Sequence, residues 1–216
     1  MNKRLVAYMQ GAVLLIEAAC MTPALVIALF QQDGDAWALG ATMLILIAIG
    51  APLRFLVRPG ERNLRAREGF LTVALAWIAL SCFGALPFVF SGMIPNYIDA
   101  LFESVSGFTT TGATVLENFD NLPQGIMFWR SFTHWIGGMG VLVFVMAILP
   151  MSDGHGMHIM RAEVPGPTVG KLVSRMSDTA KILYGIYLVL TLVEIVLLLA
   201  GGMPLFDACI HSFGSA

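Results

Sequence analysis

Long apolar segments separated by short polar ones dominate the chain, and this pattern predicts helices that cross a membrane. The apolar runs are continuous and do not alternate with polar residues, which argues against membrane-spanning strands. A shorter apolar segment, residues 97–108, cannot cross, because twelve helical residues extend about 18 Å and the hydrocarbon core is about 30 Å thick. The predicted spans are roughly residues 5–30, 37–57, 69–90, 127–149 and 180–200.

The composition supports the same class of protein. Hydrophobic residues make up 57% of the 216 positions and charged residues only 12%, whereas soluble domains carry about 25% charged residues. The formal net charge of −2 argues against a nucleic-acid partner, and membrane lipid is the expected surrounding. The three cysteines lie in apolar segments without paired spacing, so neither a disulfide framework nor a zinc site is expected. The sequence therefore predicts an all-α integral membrane protein.

Basic residues predict the orientation of the spans. Of the 12 lysines and arginines, all but Arg130 lie at the N-terminus, between spans two and three, or between spans four and five. By the positive-inside rule these three regions, the N-terminus among them, are cytoplasmic. That topology holds only if residues 97–108 enter and leave on the same side, as a re-entrant helix. The irregular backbone that follows such a helix must line water or be buried in protein.

The segment that follows the short helix is "TTTGAT", residues 109–114. Its hydroxyls and carbonyls are the groups that a dehydrated cation requires. Gly112 permits the left-handed or extended backbone that turns a carbonyl inward. The alternative is a threonine-rich surface turn without a functional role.

The end of the chain repeats this region. Residues 92–108 align with residues 202–216 after a two-residue gap, and on this register a residue 217 would correspond to Thr109. A chain that ended at residue 216 would leave carbonyls unpaired at membrane depth. We therefore expect a fragment of a protein with about four units, each containing a re-entrant helix and the loop that follows it. The identical pairs are Asp99 and Asp207, Ala100 and Ala208, and Ser104 and Ser212.

Two segments resemble a known family: "ALFESVSGFTTTGATVL" (100–116) and "FWRSFTHWIGGMGVLVFVMAILP" (128–150). They resemble the Trk-type potassium uptake proteins, specifically the TrkH branch of the Trk/Ktr/HKT superfamily. The resemblance implies potassium-channel-like membrane–pore–membrane units, four of them around one pore. It also implies a homodimer in the bacterial inner membrane, a cytoplasmic nucleotide-binding regulatory subunit, and K⁺ as the transported ion, with no cofactor.

This resemblance and the spans together predict five transmembrane helices, a re-entrant pore helix with its filter loop, and the start of a second unit. Residues 1–67 form two leading helices and a basic cytoplasmic loop. Residues 68–150 form the first membrane–pore–membrane unit, with its filter at 109–114. Residues 151–179 form a cytoplasmic loop, and residues 180–216 begin the second unit.

The resemblance also assigns candidate site residues. Backbone carbonyls of four residues would face the ion, and those of Thr111 and Gly112 would bind K⁺. The four are Thr110, Thr111, Gly112 and Ala113. Candidates for supporting the filter are Thr109, Thr114, Glu103 and Arg130.

Several charged residues leave alternatives open. Arg130 pairs with Glu103 or Glu117, or forms an interfacial anchor with Trp129. Asp99 is expected to be the N-cap of the short helix or a first-turn residue that stabilises its dipole, in preference to attracting cations at the outer mouth. For Glu103, Glu117 and Asp120 the attraction of cations stays open.

The remaining polar features have structural interpretations. Glu17 and Glu194 lie in apolar spans and are expected to bond to neighbouring helices rather than to act in transport. The arginines between 54 and 67 are expected to fix orientation rather than to dock a partner, His155 and His158 lack a third metal ligand, and glycines in 137–140 form a helix-packing surface. The chain lacks HExxH, GxSxG and paired intramembrane carboxylates, so an enzyme is not expected. A non-conducting membrane scaffold remains the alternative to a transporter.

Overall fold

The computed structural model describes residues 2–32, 34–57, 66–117, 122–140 and 169–215, and every regular element in these ranges is a helix. The chain divides into two compact units, Met1–Trp135 and Ile136–Ala216. The helices are α1 (Lys3–Cys20), α2 (Thr22–Gln31), α3 (Ala36–Phe55), α4 (Ala66–Gly84), α5 (Leu86–Phe90), α6 (Tyr97–Phe108), α7 (described over 124–140), α8 (Val169–Ala200) and α9 (Leu205–Ser215).

Within the described residues, four stretches are long and apolar enough to cross a membrane, and they match the predicted first, second, third and fifth spans. The predicted fourth span is helical from residue 124 to residue 140, and its remainder lies outside the described residues. The short α6 has the 12 residues that the sequence predicts. The four stretches are Lys3–Gln31, Ala36–Phe55, Glu68–Phe90 and Lys181–Ala200.

The first span consists of two helices that meet at Met21. The N–H of Met21 bonds to the carbonyl of Glu17 at 3.1 Å, and the carbonyl of Met21 accepts from Leu25 at 3.0 Å. Pro23 stands in the first turn of α2, where a helix tolerates a residue without an N–H. The backbone therefore continues through the junction as one span.

In the first unit the leading helices support the helices next to the pore helix. Helix α1 packs along α3 and also contacts α4, and α6 packs against α4 and α5. The crossing of α1 and α3 is close because it is made at glycines: a methyl group on Gly11 would lie 2.8 Å from the carbonyl oxygen of Gly50. Small residues at such crossings let helix backbones approach each other in a membrane.

In the second unit, α8 begins earlier than the sequence analysis proposed. It starts at Val169, so the last part of the segment 151–179, predicted as a loop, is helical. Apolar residues at helical spacing, Leu172, Val173 and Met176, explain this extension. After the turn at Gly202, α9 packs against α8.

Helix α9 has the same pattern as α6, in agreement with the predicted repeat. Each helix carries an aspartate in its first turn, Asp99 and Asp207. The alanine and serine pairs of the alignment are buried at both places: Ala100, Ala208, Ser104 and Ser212.

Candidate ion-binding site

The pore helix α6 begins at an asparagine cap. The side chain of Asn96 accepts a hydrogen bond from the backbone N–H of Ile98 at 3.0 Å. Of the two positions expected for Asp99, the cap or the first turn, the structure shows the first turn. A cap residue needs extended backbone, which Asn96 has with φ −80 and ψ 119, whereas Asp99 is already helical. Asp99 lies in the first turn, where its charge interacts favourably with the helix dipole.

Helix α6 ends in a strained turn at Thr110. The N–H of Thr110 bonds to the carbonyl of Gly107 and that of Thr111 to the carbonyl of Ser106, both at 2.9 Å. This is the Schellman pattern, whose left-handed position is usually occupied by glycine. Here Thr110 occupies it, with φ +56, and left-handed backbone costs a non-glycine residue about 1–2 kcal/mol. Strain at a position where glycine would fit is typical of functional sites.

The next left-handed residue is Gly112, with φ +76. A methyl group added to it would meet nothing within 4 Å, so the backbone conformation and not the space requires glycine. The hydroxyl of Thr109 donates to the carbonyl of Val105 at 2.7 Å and lies 2.8 Å from the hydroxyl of Thr111. Residues 109–114 are all exposed in this chain, so the loop has an open face on which backbone carbonyls could bind a cation.

The carbonyl of Ala113 has a partner on the pore helix. It accepts a hydrogen bond from the hydroxyl of Ser106 at 2.5 Å. This oxygen therefore lies against α6, which differs from the expectation that it faces the ion. The carbonyls of Thr110, Thr111 and Gly112 are left as the stronger candidates for ion ligands.

The buried carboxylate of Glu103 joins the pore helix, the loop and α7. Its Oε2 accepts from the hydroxyl of Thr114 and from the N–H of Val115, both at 3.0 Å. Its Oε1 pairs with Nε of Arg130. Arg130 thus pairs with Glu103 and not with Glu117, so this arrangement fits the predicted support of the filter by Glu103, Thr114 and Arg130.

Trp129 is not an interfacial anchor. Its side chain is fully buried, its Nε1–H donates to the carbonyl of Gly84 at 3.0 Å, and its ring packs edge-on against Phe108 at 6.2 Å between centroids. An anchor would hold the ring at the membrane surface. Trp129 instead connects α7 with α4 and with the end of the pore helix.

Two contacts near the site were not predicted from the sequence. One is the bond from Ser106 to Ala113. The other joins Asp35 to α7: its Oδ2 accepts from the N–H of Ile126 at 3.1 Å. Asp35 stands directly before α3 and makes no side-chain bond to it, although its position suggests a cap of that helix. It satisfies a first-turn N–H of another helix, and no local sequence signal marks a pair so distant in the chain.

Other candidates lie apart from the filter loop. The Arg54 guanidinium lies over the ring of Tyr8, 4.0 Å from its centroid. A methyl group on Gly138 would lie 2.6 Å from the Tyr187 hydroxyl, which agrees with a packing role for this glycine. Within the described ranges no three His, Cys, Asp or Glu side chains form a possible metal site. Outside these ranges lie the side chains of Arg58, Arg62, Arg65 and Arg67, and Asp120, His155 and His158.

A half-length helix, a strained loop beside it and several membrane-length helices are the features of a multi-pass membrane protein. Residues 38–215 match the model of the TrkH family, described as a cation transport protein. The chain therefore belongs to the TrkH family, which confirms the resemblance seen in the sequence.

Curated relatives carry the same family name. The chain is 45% identical over 206 residues to the Trk system potassium uptake protein TrkH of Salmonella typhimurium, covering 94% of this chain and 42% of that protein. It is 40% identical over 217 residues to TrkH of Halomonas elongata, covering 100% of this chain and 45% of that protein. The chain thus spans less than half the length of these relatives.

The fold is similar to a solved structure. The crystal structure of the potassium transporter TrkH from Vibrio parahaemolyticus aligns with a TM-score of 0.81 and 38% identity. The alignment covers 99% of this chain and 42% of that one. The all-α membrane fold predicted from the sequence is consistent with this neighbour.

Proposed function

We propose that the chain takes part in potassium transport across a membrane, by supplying the first selectivity-filter loop of a four-loop pore. Its relatives are named as potassium uptake proteins, and the family is one of cation transport. Rings of carbonyls can replace the hydration shell of K⁺, and such a ring needs loops from four units. This chain contains one described loop of that kind, so it contributes to the pore and does not form it alone.

The observation that carries this proposal is the backbone of the filter loop. Left-handed residues at Thr110 and Gly112 lie in an exposed loop that Glu103 and Ser106 hold against the pore helix. Such a loop is rigid without being buried. In our proposal Thr111 and Gly112 provide the main K⁺ ligands through their carbonyls, Thr110 a further one, and Thr109 and Thr114 help to fix the loop.

The test is the replacement Gly112→Ser in the complete gene product, expressed in bacteria that lack other potassium uptake systems. Initial rates of rubidium uptake, a tracer for potassium, are measured against increasing sodium. We expect the preference for potassium over sodium to fall about tenfold, equivalent to about 1.4 kcal/mol, because serine strains the left-handed backbone that orients the carbonyls.

Gly34→Ser is a matched control. Gly34 has nearly the same backbone, with φ +79, and likewise nothing within 4 Å of an added methyl group, but it lies between α2 and α3. The control should keep the ion preference. An unchanged preference in Gly112→Ser, or equal changes in both variants, would contradict the filter. A gene product that reaches the membrane and moves no potassium would favour the scaffold alternative.

The proposal includes location and partners. The protein would lie in the bacterial inner membrane with its N-terminus in the cytoplasm, as the distribution of lysine and arginine supports. It would form a homodimer and bind a cytoplasmic nucleotide-binding regulatory subunit, as the family resemblance implies. The division into residues 1–67, 68–150, 151–179 and 180–216 belongs to the same proposal, with the extension of α8 to Val169.

A further inference from the structure

A buried carboxyl group from the first helix lies behind the pore helix. Glu17 of α1 is 2% exposed, and neither of its carboxyl oxygens has a hydrogen-bond partner among the described residues. The hydroxyl of Ser104 on α6 is also buried and also without one. Both groups face Gly84 of α4: a methyl group placed there would lie 2.9 Å from Ser104 Oγ and 3.4 Å from Glu17 Oε1.

The chemistry of this cluster favours a neutral acid. An ionised carboxylate buried in a membrane span without a partner is very unfavourable, and such a group takes up a proton instead. A protonated carboxyl has one O–H donor and retains acceptor capacity, and a serine hydroxyl has both. Because buried polar groups are nearly always hydrogen-bonded, Glu17 and Ser104 are matched to bond across the gap that Gly84 leaves.

The second unit has a similar contact, made by a different serine: the counterpart of Ser104 is Ser212, whose hydroxyl has no hydrogen-bond partner among the described residues. Gly84 stands eight residues before Gly92, and Glu194 stands eight residues before Gly202, its aligned counterpart. In this unit the carboxyl of Glu194 on α8 accepts a hydrogen bond from the hydroxyl of Ser215 on α9. Each of the two helices α6 and α9 therefore has a carboxyl group of another helix near its contact with the helix that precedes it. In the first unit that position is a glycine, and α1 supplies the acid.

We propose that Glu17 is a positioning residue for the filter: its neutral carboxyl and Ser104 together fix the pore helix against α1 and α4. This inference rests on the proposed function, because its effect is on ion preference. Few residues connect Glu17 with the filter loop. Ser104 is adjacent to Glu103, which holds Thr114 and Val115, so a shift of α6 moves the loop.

The experiment compares Glu17→Leu with Glu17→Gln in the complete gene product, using the rubidium and sodium uptake assay and the amount of protein in the membrane. Leucine removes the polar contact, and we expect the preference for potassium to fall at least about fivefold, the lower end of typical coupling between sites. Glutamine is neutral, donates and accepts, and should retain the wild-type preference. Equal defects in both variants, or a wild-type preference in Glu17→Leu, would overturn the proposal.

Gln10→Leu is the matched control on the same helix. Gln10 donates to the carbonyl of Thr72 on α4 at 2.7 Å and lies away from α6. It should keep the ion preference even where it lowers the amount of protein. A change in preference as large as that of Glu17→Leu would mean that any polar loss in α1 has this effect, which would overturn the specific role of Glu17.

Ser104→Ala keeps the proposal testable should Glu17→Leu not reach the membrane. We expect it to lower the preference for potassium, whereas Ser81→Ala, another buried serine, should not. Equal effects of the two would count against Glu17. The variant Gly112→Ser separates this inference from the proposed function. If Gly112→Ser alters ion preference while the Glu17 and Ser104 variants do not, only the inference fails; if none alters it, the filter proposal fails as well.

Discussion

Replacing Glu103 or Arg130 by glutamine removes one charge from the ion pair that joins the pore helix to α7. Glu103 receives three hydrogen bonds, from Thr114, Val115 and Arg130. The side chain of Glu103 is 1% exposed and that of Arg130 is 14% exposed. Arg130→Gln leaves the buried carboxylate of Glu103 without this cation, and Glu103→Gln removes the carboxylate that accepts three hydrogen bonds, so both should destabilise the protein strongly.

The magnitude follows from the burial of the pair. Breaking a buried ion pair by removing one partner costs about 3–5 kcal/mol. Arg130→Gln should lie near about 3 kcal/mol, because Glu103 keeps two donors, and Glu103→Gln near about 5 kcal/mol, because its amide N–H₂ can face the donors of Arg130. The double variant removes both charges of the pair. We expect it to lose about 3–5 kcal/mol instead of the additive value of about 8 kcal/mol.

The assay is a double-mutant cycle on the free energy of unfolding. The four proteins, purified in detergent micelles as complete gene products, are unfolded with denaturant and followed by near-ultraviolet circular dichroism. A second cycle pairs Arg130→Gln with Glu117→Gln. Glu117 is exposed and is the alternative partner that the sequence allowed, so its coupling with Arg130 should be near zero.

Additive losses in the first cycle would refute the reasoning, because they would mean that the two charges do not stabilise each other. A coupling with Glu117 equal to that with Glu103 would refute it in another way. It would show a diffuse electrostatic effect instead of one buried pair.

Two further replacements test the filter loop itself. Thr110→Gly should change the free energy of unfolding by at most about 1 kcal/mol, because relief of left-handed strain opposes the greater freedom of the unfolded chain. The more flexible loop should lower the preference for potassium over sodium. A wild-type preference would show that the strain has no functional role. Ser106→Ala removes the donor to the Ala113 carbonyl and should destabilise the protein by about 0.5–1.5 kcal/mol. It should also lower the preference for potassium over sodium, and Ser81→Ala serves as the control. Equal preferences for potassium over sodium in the two variants would contradict a role for Ser106 in orienting the loop.

The helices were predictable because the membrane imposes a simple rule on local sequence. An apolar run must be long enough to cross the hydrocarbon core, and the 12 residues of α6 are too few whatever their neighbours are. The importance of Gly112 was also a local matter, since only glycine adopts left-handed backbone without strain. The early start of α8 was missed because charged residues in the segment before 180 suggested a loop, although its apolar spacing was helical.

Partner choice among the polar groups was decided by the tertiary structure. The sequence left Arg130 with two acidic candidates and an anchor role, and it assigned no structural role to Asp35. In the structure Arg130 pairs with Glu103, and Asp35 accepts a hydrogen bond from the backbone N–H of Ile126, because the packing of the helices brings these groups together. Such pairs join residues that are remote in the chain, and hydrogen bonds depend on angles and distances of a few ångströms, which no residue pattern specifies.

By itself the sequence determined the membrane class, the helical spans and the half-length pore helix, because each depends on composition or on spacing along a single segment. The TrkH family followed from the resemblance of residues 100–116 and 128–150 to that family. The three-dimensional arrangement alone decided that Thr110 is left-handed, that Ala113 turns its carbonyl toward Ser106, and that Glu17 lies behind the pore helix. The first two features depend on how the loop folds back on the end of α6, and the third on how separate helices pack. Dense packing leaves each buried polar group only those partners that the fold brings within reach.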